Sequence, residues 1–464
     1  MLSRRAFLGS TLGAVALGAP ILSSVAPALA PRAYAATTIR TKVVNATGTF
    51  GNSAIKMYIP GVNPAGQQGF VNASGVFVTV PQDVAHGTPL DMAIPLSNTG
   101  DTDFVLPQMS GRIYFAIDGD LTFRAVADEQ GVRRMQYPAG WVESDDSFSV
   151  MHDCVEFTLN DLGMFCNTTM VDKFSVPLAI RLEGDASQTA GELVPGGRER
   201  IFSTIADQPD FARLIIGDNK RVIAPGHGID SGLFSSTYYD EYINEVWSKY
   251  ATTDLLVTDH LKQITYTGRV RDGVLIFDKG VAPIRKPSTR DVFFCDGALA
   301  APNDGVTGPV AAMLGAAFNR GTLLEHSAQP ISDTKLHYNT AVANHYSRAL
   351  HENTKDGKAY GFAFDDVGDL AAFIQDHNPS SWTITLTDLS SGPAPGGTDP
   401  GSDPGTDPGT GGGTDPNTGG GTDPNTGGGT DPNTGGGTDP NTGGGTNPGT
   451  GDVSTGSAGL NFGS

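Results

Sequence analysis

The sequence is poor in cysteine and has no long hydrophobic run. Three cysteines among 464 residues are too few for a disulfide framework, and their scattered positions do not match the ligand spacing of a zinc site. No stretch reaches the roughly 18 consecutive apolar residues of a membrane-spanning helix. Basic residues are few as well: 30 lysines and arginines stand against 50 aspartates and glutamates, for a formal net charge of −20. Such a surface repels nucleic acid and anionic lipid and favours neutral ligands such as glycans.

Familiar motifs of catalysis and cofactor binding are also missing. The sequence has neither the G-x-S-x-G turn of the α/β-hydrolases nor the H-E-x-x-H helix of zinc proteases. The segment PGHGIDSG, which begins at Pro225, has the wrong glycine spacing for dinucleotide binding. We therefore expect no metal and no cofactor.

The two ends of the chain differ in composition from its middle. The segment SRRAFLG at Ser3–Gly9, a mild apolar run and Ala33-Tyr34-Ala35 indicate a twin-arginine signal peptide over residues 1–35. From Pro393 the sequence is low in complexity, and TDPNTGGG repeats with a period of eight. It contains almost nothing apolar to bury, so we expect a disordered tail over residues 393–464.

The middle of the chain predicts an α+β protein with two domains. Residues 36–201 contain many short β-prone runs split by turn residues, a pattern typical of a β-sandwich or barrel. Residues 202–380 contain helical patterns at Asp240–Tyr250 and Ala341–Glu352 and a predicted hairpin around Asp272, and they indicate a mixed α/β domain. A final alternating run, 381–389, is expected to rejoin the first domain, because a lone strand at a chain end needs a sheet.

One predicted hairpin carries two acidic residues. Glu156 lies in a β-prone run, the turn residues Asn160 to Gly163 follow, and Met164–Val171 forms a second β-prone run. A straight hairpin centred on Asn160 would leave Asp172 about 27 Å from Glu156. Either the second strand therefore bends, or Asp172 lies past its end on a returning turn.

The same hairpin suggests a disulfide. A register centred on Asn160 places Cys154 opposite Cys166, which predicts a cross-strand bridge between them. Cys295 would then be a buried free thiol.

Several segments together resemble a known family. VEFTLN at Val155 and NTTMVDKFSVP at Asn167 resemble the thaumatin-like fold. Together with GRIYFAIDGDLTFR, RVIAPGHG, YYDEYINEVWSKY and DGKAYGFAFDDV, they more closely resemble glycoside hydrolase family 64, the β-1,3-glucanases that release laminaripentaose. The matches cover nearly all of residues 36–389.

The resemblance implies a fold and a site. It implies a thaumatin-like β-sandwich or barrel domain, a mixed α/β domain, and a wide acidic groove between them. Carried over to this chain, Glu156 is the general acid and Asp172 the general base of an inverting hydrolysis, while Thr158, Asn160 and Thr169 line the groove. The apolar neighbours of Glu156 should favour its protonated form, and Lys173 should help to keep Asp172 ionised.

The expected function is that of a secreted, monomeric, endo-acting enzyme. It would cleave β-1,3-glucan of the laminarin or curdlan type with inversion and release short laminari-oligosaccharides, laminaripentaose among them. We expect no nucleic-acid partner and no membrane partner for the mature form. The alternative is a thaumatin-like β-glucan-binding protein of the cell wall that has no turnover. Release of reducing sugar from curdlan distinguishes the two.

Deletion of residues 393–464 should leave the melting temperature and the activity on soluble laminarin unchanged, because the repeat contributes no core. Differential scanning fluorimetry and a reducing-sugar assay on the full and shortened chains test this. A fall of several degrees would show that the tail packs on the folded part.

Overall fold

The computed structural model describes residues 38–389. The predicted signal peptide and the predicted disordered tail lie outside the described residues, so both stay predictions. Within 38–389, no helix is long and apolar enough to cross a membrane.

Short strands outnumber helices in the described chain. In order they are β1 Thr38–Asn45, β2 Ile55–Val62, β3 Gln68–Val71, β4 Phe77–Thr79, β5 Thr88–Pro89, β6 Ile94–Pro95, β7 Thr102–Pro107, β8 Met109–Ile117, β9 Arg124–Ala127, β10 Arg133–Gln136, β11 Met151–Asn160, β12 Gly163–Thr168, β13 Lys173–Phe174, β14 Leu178–Glu183, β15 Ser187–Ala190, β16 Ile215–Ile216, β17 Arg221–Ile223, β18 Leu255–Asp259, β19 Ile264–Arg271, β20 Val274–Phe277, β21 Ile284–Arg285, β22 Ala328–Gln329, β23 Phe373–Asp376 and β24 Ser381–Leu386.

Helices follow the first fifteen strands. They are α1 Gly197–Ala206, α2 Pro209–Ala212, α3 Pro225–Asp230, α4 Asp240–Thr252, α5 Thr289–Phe294, α6 Thr307–Asn319 and α7 His345–Glu352, with 3-10 turns at Asn52–Ala54, Gly297–Leu299 and Thr334–Leu336. The arrangement of strands first and helices later agrees with the α+β class predicted from the sequence.

Two sheets share the core of the strand-rich part. The larger has the order β23-β12-β11-β8-β2-β3-β4 with β6 beside β2, and the smaller has the order β15-β14-β24-β1-β7. Their inner faces supply one hydrophobic cluster, in which Phe157 of β11 packs against Trp382 of β24 with ring centroids 5.6 Å apart. Side chains alternate along a strand, so the neighbours of Phe157 on β11 face away from this core.

The last strand joins the smaller sheet of the strand-rich part, as the sequence predicts. β24 pairs in parallel with β1 and antiparallel with β14. The preceding strand, β23, pairs with β12 at the edge of the larger sheet. The end of the described chain therefore returns to the strand-rich part after the helices.

A second core lies among the helices and the sheet β21-β20-β19-β18-β22. The predicted helix at Asp240–Tyr250 is present as α4, and the predicted hairpin around Asp272 is present as β19 and β20. α7 begins at His345, later than its apolar pattern suggests. Its start is set by Asn344, whose side chain accepts a hydrogen bond from the Ser347 N–H.

The predicted Cys154–Cys166 bridge is wrong. Asn160 pairs with Gly163, so the turn is Asp161-Leu162, and Cys166 stands opposite Phe157. Cys154 lies in the cluster on the outer face of the larger sheet, whereas Cys166 lies in the core between the sheets. The displaced turn centre moves Cys166 to a partner on the other face of β11, because facing alternates with every residue.

All three thiols should therefore be free in the folded protein, as they are buried and unbridged in the structure. Alkylation after unfolding without reductant should add three labels by intact mass, and reductant should not change the melting temperature. A mass with one label would show that two of the cysteines form a disulfide and would contradict this register.

Candidate active site

Glu156 lies on the outer face of the larger sheet between two polar neighbours. Its Cα partners are Arg112 on β8 and Asn167 on β12. Arg112 Nη2 is 2.8 Å from Glu156 Oε1, and Asn167 donates a 3.2 Å hydrogen bond to Oε2. The Glu156 side chain is 0% exposed. Both of its oxygens thus have partners on adjacent strands, and its position is fixed by the sheet register.

The sequence neighbours of Glu156 do not form its environment, contrary to expectation. Val155 and Phe157 lie next to it in sequence, but both point into the core on the opposite face of β11. The groups that surround Glu156 include a guanidinium and an amide. The side chain is buried beneath polar neighbours rather than within the apolar core.

Asp172 lies past the end of β12, which is the second of the two arrangements allowed by the sequence. β12 ends at Thr168, and the chain turns before it enters β13. The carbonyl of Asp172 accepts a 3.0 Å hydrogen bond from the Ala224 N–H. Arg112 Nη1 lies 3.3 Å from Asp172 Oδ2, and the Asp172 side chain is 24% exposed.

Arg112 lies between the two carboxyl groups and contacts each with a different terminal nitrogen. Because the guanidinium is a small rigid plane, the contacting oxygens of Glu156 and Asp172 are within about 8.5 Å of each other. Burial by itself lowers the pKa of Arg112, but Tyr114 and the two carboxyl groups outweigh burial and raise it well above its usual value. Arg112 therefore keeps its charge in this site.

A buried ion pair connects the segments that carry the two carboxyl groups. Lys173 Nζ lies 3.3 Å from Asp153 Oδ1, and both side chains are 6% exposed. Asp153 Oδ2 accepts hydrogen bonds from the N–H groups of Ser175 and Val176 at 2.7 and 3.1 Å. Burial raises the pKa of Asp153 and lowers that of Lys173, while their mutual attraction opposes both shifts. The ammonium group of Lys173 therefore faces Asp153, and its expected support of Asp172 stays a prediction.

A histidine contacts Asp172, and its ring packs against two aromatic residues. His227, on α3, has Nε2 3.2 Å from Asp172 Oδ1. Its ring stacks on Trp141 with centroids 3.9 Å apart, and it meets the Phe294 ring edge-on at 5.3 Å. The sequence offered only the segment PGHG as a signal for His227, and the loop residue Trp141 carried no signal at all.

The three predicted sugar-binding residues lie in different settings. Thr169 is buried and lines a pocket together with Arg112 and Asp172, and its hydroxyl has no hydrogen-bonding partner in the described chain. Thr158 shares the face of Glu156 and donates a 2.9 Å hydrogen bond to the Ser110 hydroxyl. Asn160 ends β11, where its side chain accepts a 2.8 Å hydrogen bond from the Leu162 N–H and holds the turn. Their roles in binding stay predictions.

Two carboxyl groups on either side of one arginine suit the hydrolysis of a glycosidic bond, which needs one acid and one base or nucleophile. The fold and this arrangement are those of a glycoside hydrolase. The chain belongs to glycoside hydrolase family 64: the model of that family, described as β-1,3-glucanase, matches residues 37–386.

Relatives with names and structures agree with this assignment. A glucan endo-1,3-beta-glucosidase of Cellulosimicrobium cellulans is 33% identical over 83% of this chain and 70% of its own length. A laminaripentaose-producing β-1,3-glucanase in complex with laminaritetraose is 36% identical, with a TM-score of 0.70 over 76% of this chain and all of that chain. A β-1,3-glucanase domain from Clostridium beijerinckii is 25% identical, with a TM-score of 0.65 over 77% of this chain and all of that domain.

Asp153→Asn should destabilise the fold by about 3–5 kcal/mol, because it leaves the buried Lys173 ammonium without its counter-charge. Urea unfolding at neutral pH measures this. The matched control is Asp101→Asn, which removes an ion pair with Lys42 whose side chains are 43% and 45% exposed and should cost less than about 1 kcal/mol. Equal losses in the two variants would contradict a special role for the buried pair.

Proposed function

We propose that this protein is a secreted endo-β-1,3-glucanase that cleaves its substrate with inversion. The observation that carries the proposal is the placement of Glu156 and Asp172 on either side of Arg112, in a chain that belongs to a β-1,3-glucanase family. The relative with bound laminaritetraose supports a glucan of the laminarin or curdlan type. Its name also supports laminaripentaose among the products.

Glu156 acts as the general acid and Asp172 as the general base. Glu156 gives its proton to the oxygen of the leaving sugar, while Asp172 takes a proton from a water that attacks the anomeric carbon from the opposite side. The partial exposure of Asp172 supports this assignment, because a base that activates water needs access to solvent. The limit of about 8.5 Å between contacting oxygens is compatible with both the roughly 6.5–9.5 Å separation of inverting enzymes and the roughly 5–5.5 Å of retaining ones, so inversion is proposed from the family resemblance.

The charges of the site fit this division of roles. Arg112 supplies one positive charge to two carboxyl groups, so the three groups together are neutral when one proton is bound. We assign that proton to Glu156 in the reacting state, because a general acid must carry one. Burial of the side chain favours the protonated form, while the contacts with Arg112 and Asn167 favour the ionised one. After each turnover Glu156 must regain a proton and Asp172 must lose one.

Glu156 has to become accessible before it can protonate a substrate. Its side chain has no exposed surface, whereas the Arg112 side chain against it is 19% exposed. We therefore propose that Arg112 shifts when glucan enters the pocket and uncovers the carboxyl group. Asp172 can hold the guanidinium nearby during that movement, because it contacts Nη1 of Arg112 whereas Glu156 contacts Nη2.

The domain bounds, the groove and the sugar-binding residues expected from the sequence are also part of the proposal. The strand-rich part would be a thaumatin-like domain over residues 36–201 with the final strand, the mixed part would cover residues 202–380, and a wide acidic groove would run between them. Thr158, Asn160 and Thr169 would hydrogen-bond sugar hydroxyls along that groove. We propose a monomer that is exported in folded form by the twin-arginine route.

Glu156→Gln and Asp172→Asn should each lower turnover on laminarin by about a hundredfold or more, as expected for the loss of a general acid or base. Reducing-sugar release measures turnover, and pull-down with insoluble curdlan measures binding, which should persist. Glu352→Gln, on the exposed surface of α7, is the matched control and should leave turnover unchanged.

Chemical rescue separates the two roles. An aryl laminarioside needs little protonation of its leaving group, so it should partly rescue Glu156→Gln but not Asp172→Asn. Azide needs no base and should rescue Asp172→Asn with formation of the α-glycosyl azide. Reversed rescues would show that acid and base are exchanged, and wild-type turnover in either variant would show that the substituted residue is not catalytic.

A further inference from the structure

The carboxylate of Asp172 is held at both of its oxygens. Arg112 Nη1 lies 3.3 Å from Oδ2, and His227 Nε2 lies 3.2 Å from Oδ1. Arg112 also contacts Glu156 and therefore serves both carboxyl groups. Within residues 38–389, by contrast, the His227 side chain forms a hydrogen bond only with Asp172, which makes it a specific partner of the proposed base.

The His227 ring is fixed by three parts of the fold. Trp141, in the loop before β11, covers one face of the ring, and the planes of the two rings differ by 19°. Phe294, at the end of α5, meets the ring edge-on at 83°. The neighbouring Gly226 allows this close packing, because a Cβ atom there would lie 2.8 Å from the Phe294 ring. The ring therefore has little freedom to rotate.

The hydrogen-bonding partners of the ring favour one tautomer. Nδ1 is buried and has no hydrogen-bonding partner within the described residues, whereas Nε2 faces a carboxylate oxygen. A carboxylate accepts and does not donate when it is ionised, so the proton of a neutral ring belongs on Nε2. His227 then donates from Nε2 to Asp172. Nδ1 carries no proton, so no buried N–H group is left without an acceptor.

We propose that His227 is a positioning residue for Asp172, an inference that rests on the proposed function of Asp172 as the base. The Nε2–H hydrogen bond fixes the rotation of the carboxylate, so that its remaining lone pairs point to the attacking water. A general base must lie within about 2.6–3.2 Å of the oxygen atom whose proton it takes. Asp172 lies on a turn rather than within a strand, so its backbone alone gives it less support than β11 gives Glu156.

Loss of the hydrogen bond should affect the chemical step more than binding. His227→Leu removes the donor and should lower kcat about tenfold to a hundredfold, since a misplacement of about 1 Å can cost about a hundredfold. KM for laminarin should stay within about twofold. His227→Gln keeps an amide N–H near the position of Nε2 and should retain kcat within about threefold of the wild type.

The decisive measurement combines His227→Leu with Asp172→Asn. If His227 acts through Asp172, the double variant should turn over laminarin no more slowly than Asp172→Asn alone. His345→Leu is the control for loss of a buried histidine. Nε2 of His345 forms a hydrogen bond with the Ala341 carbonyl, away from Asp172, so this variant should leave kcat unchanged. Thermal melting of every variant confirms that the chains are folded.

Two results would overturn the positioning role while leaving Asp172 as the base. One is an equal loss from His227→Leu in the wild-type and Asp172→Asn backgrounds, and the other is a His227→Gln variant as slow as His227→Leu. Wild-type turnover in Asp172→Asn would instead reject the proposed base, and the positioning role with it. Fast His227→Gln, slow His227→Leu and no added loss in the double variant support the proposal.

Discussion

The buried ion pair between Lys173 and Asp153 ties the turn that carries Asp172 to the strand that carries Glu156. Each charge loses its contact with water, and each regains a partner only when the turn lies against β11. The two backbone N–H groups that bind Asp153 come from the residues directly after β13, so the carboxylate also holds the backbone beyond the turn. A carboxyl group outside any regular strand thereby gains a defined place beside the sheet.

The sheet and the turn then share one cation. Arg112 is placed by its register on β8 opposite Glu156, and its guanidinium also reaches Asp172. A rigid planar group between two carboxyl groups keeps them apart and keeps them close to the same charge. The separation of the two groups thus depends on one side chain from β8. Although they share this cation, the Glu156 carboxyl group is buried and that of Asp172 is partly exposed.

Alternation along β11 explains why the environment of Glu156 differs from the one expected from its neighbours in sequence. The residues next to Glu156 in sequence do not surround its side chain, since they face the core on the other side of the sheet. The turn of the hairpin also lies beyond Asn160, and this shift moved Cys166 to the core face and away from Cys154. Turn position and facing are coupled, so one misplaced turn changes every contact inferred from it.

The sequence by itself determined the α+β class, the strand with Glu156, the return of the last strand and the family resemblance, because these depend on local periodicity and on segments that keep their order. Tertiary structure alone decided the partners of the carboxyl groups. Arg112 lies 44 residues before Glu156, and His227 lies 55 residues after Asp172. No local pattern couples such distant positions; they meet because strand pairing, the turn after β12 and the start of α3 bring them to one face of one sheet.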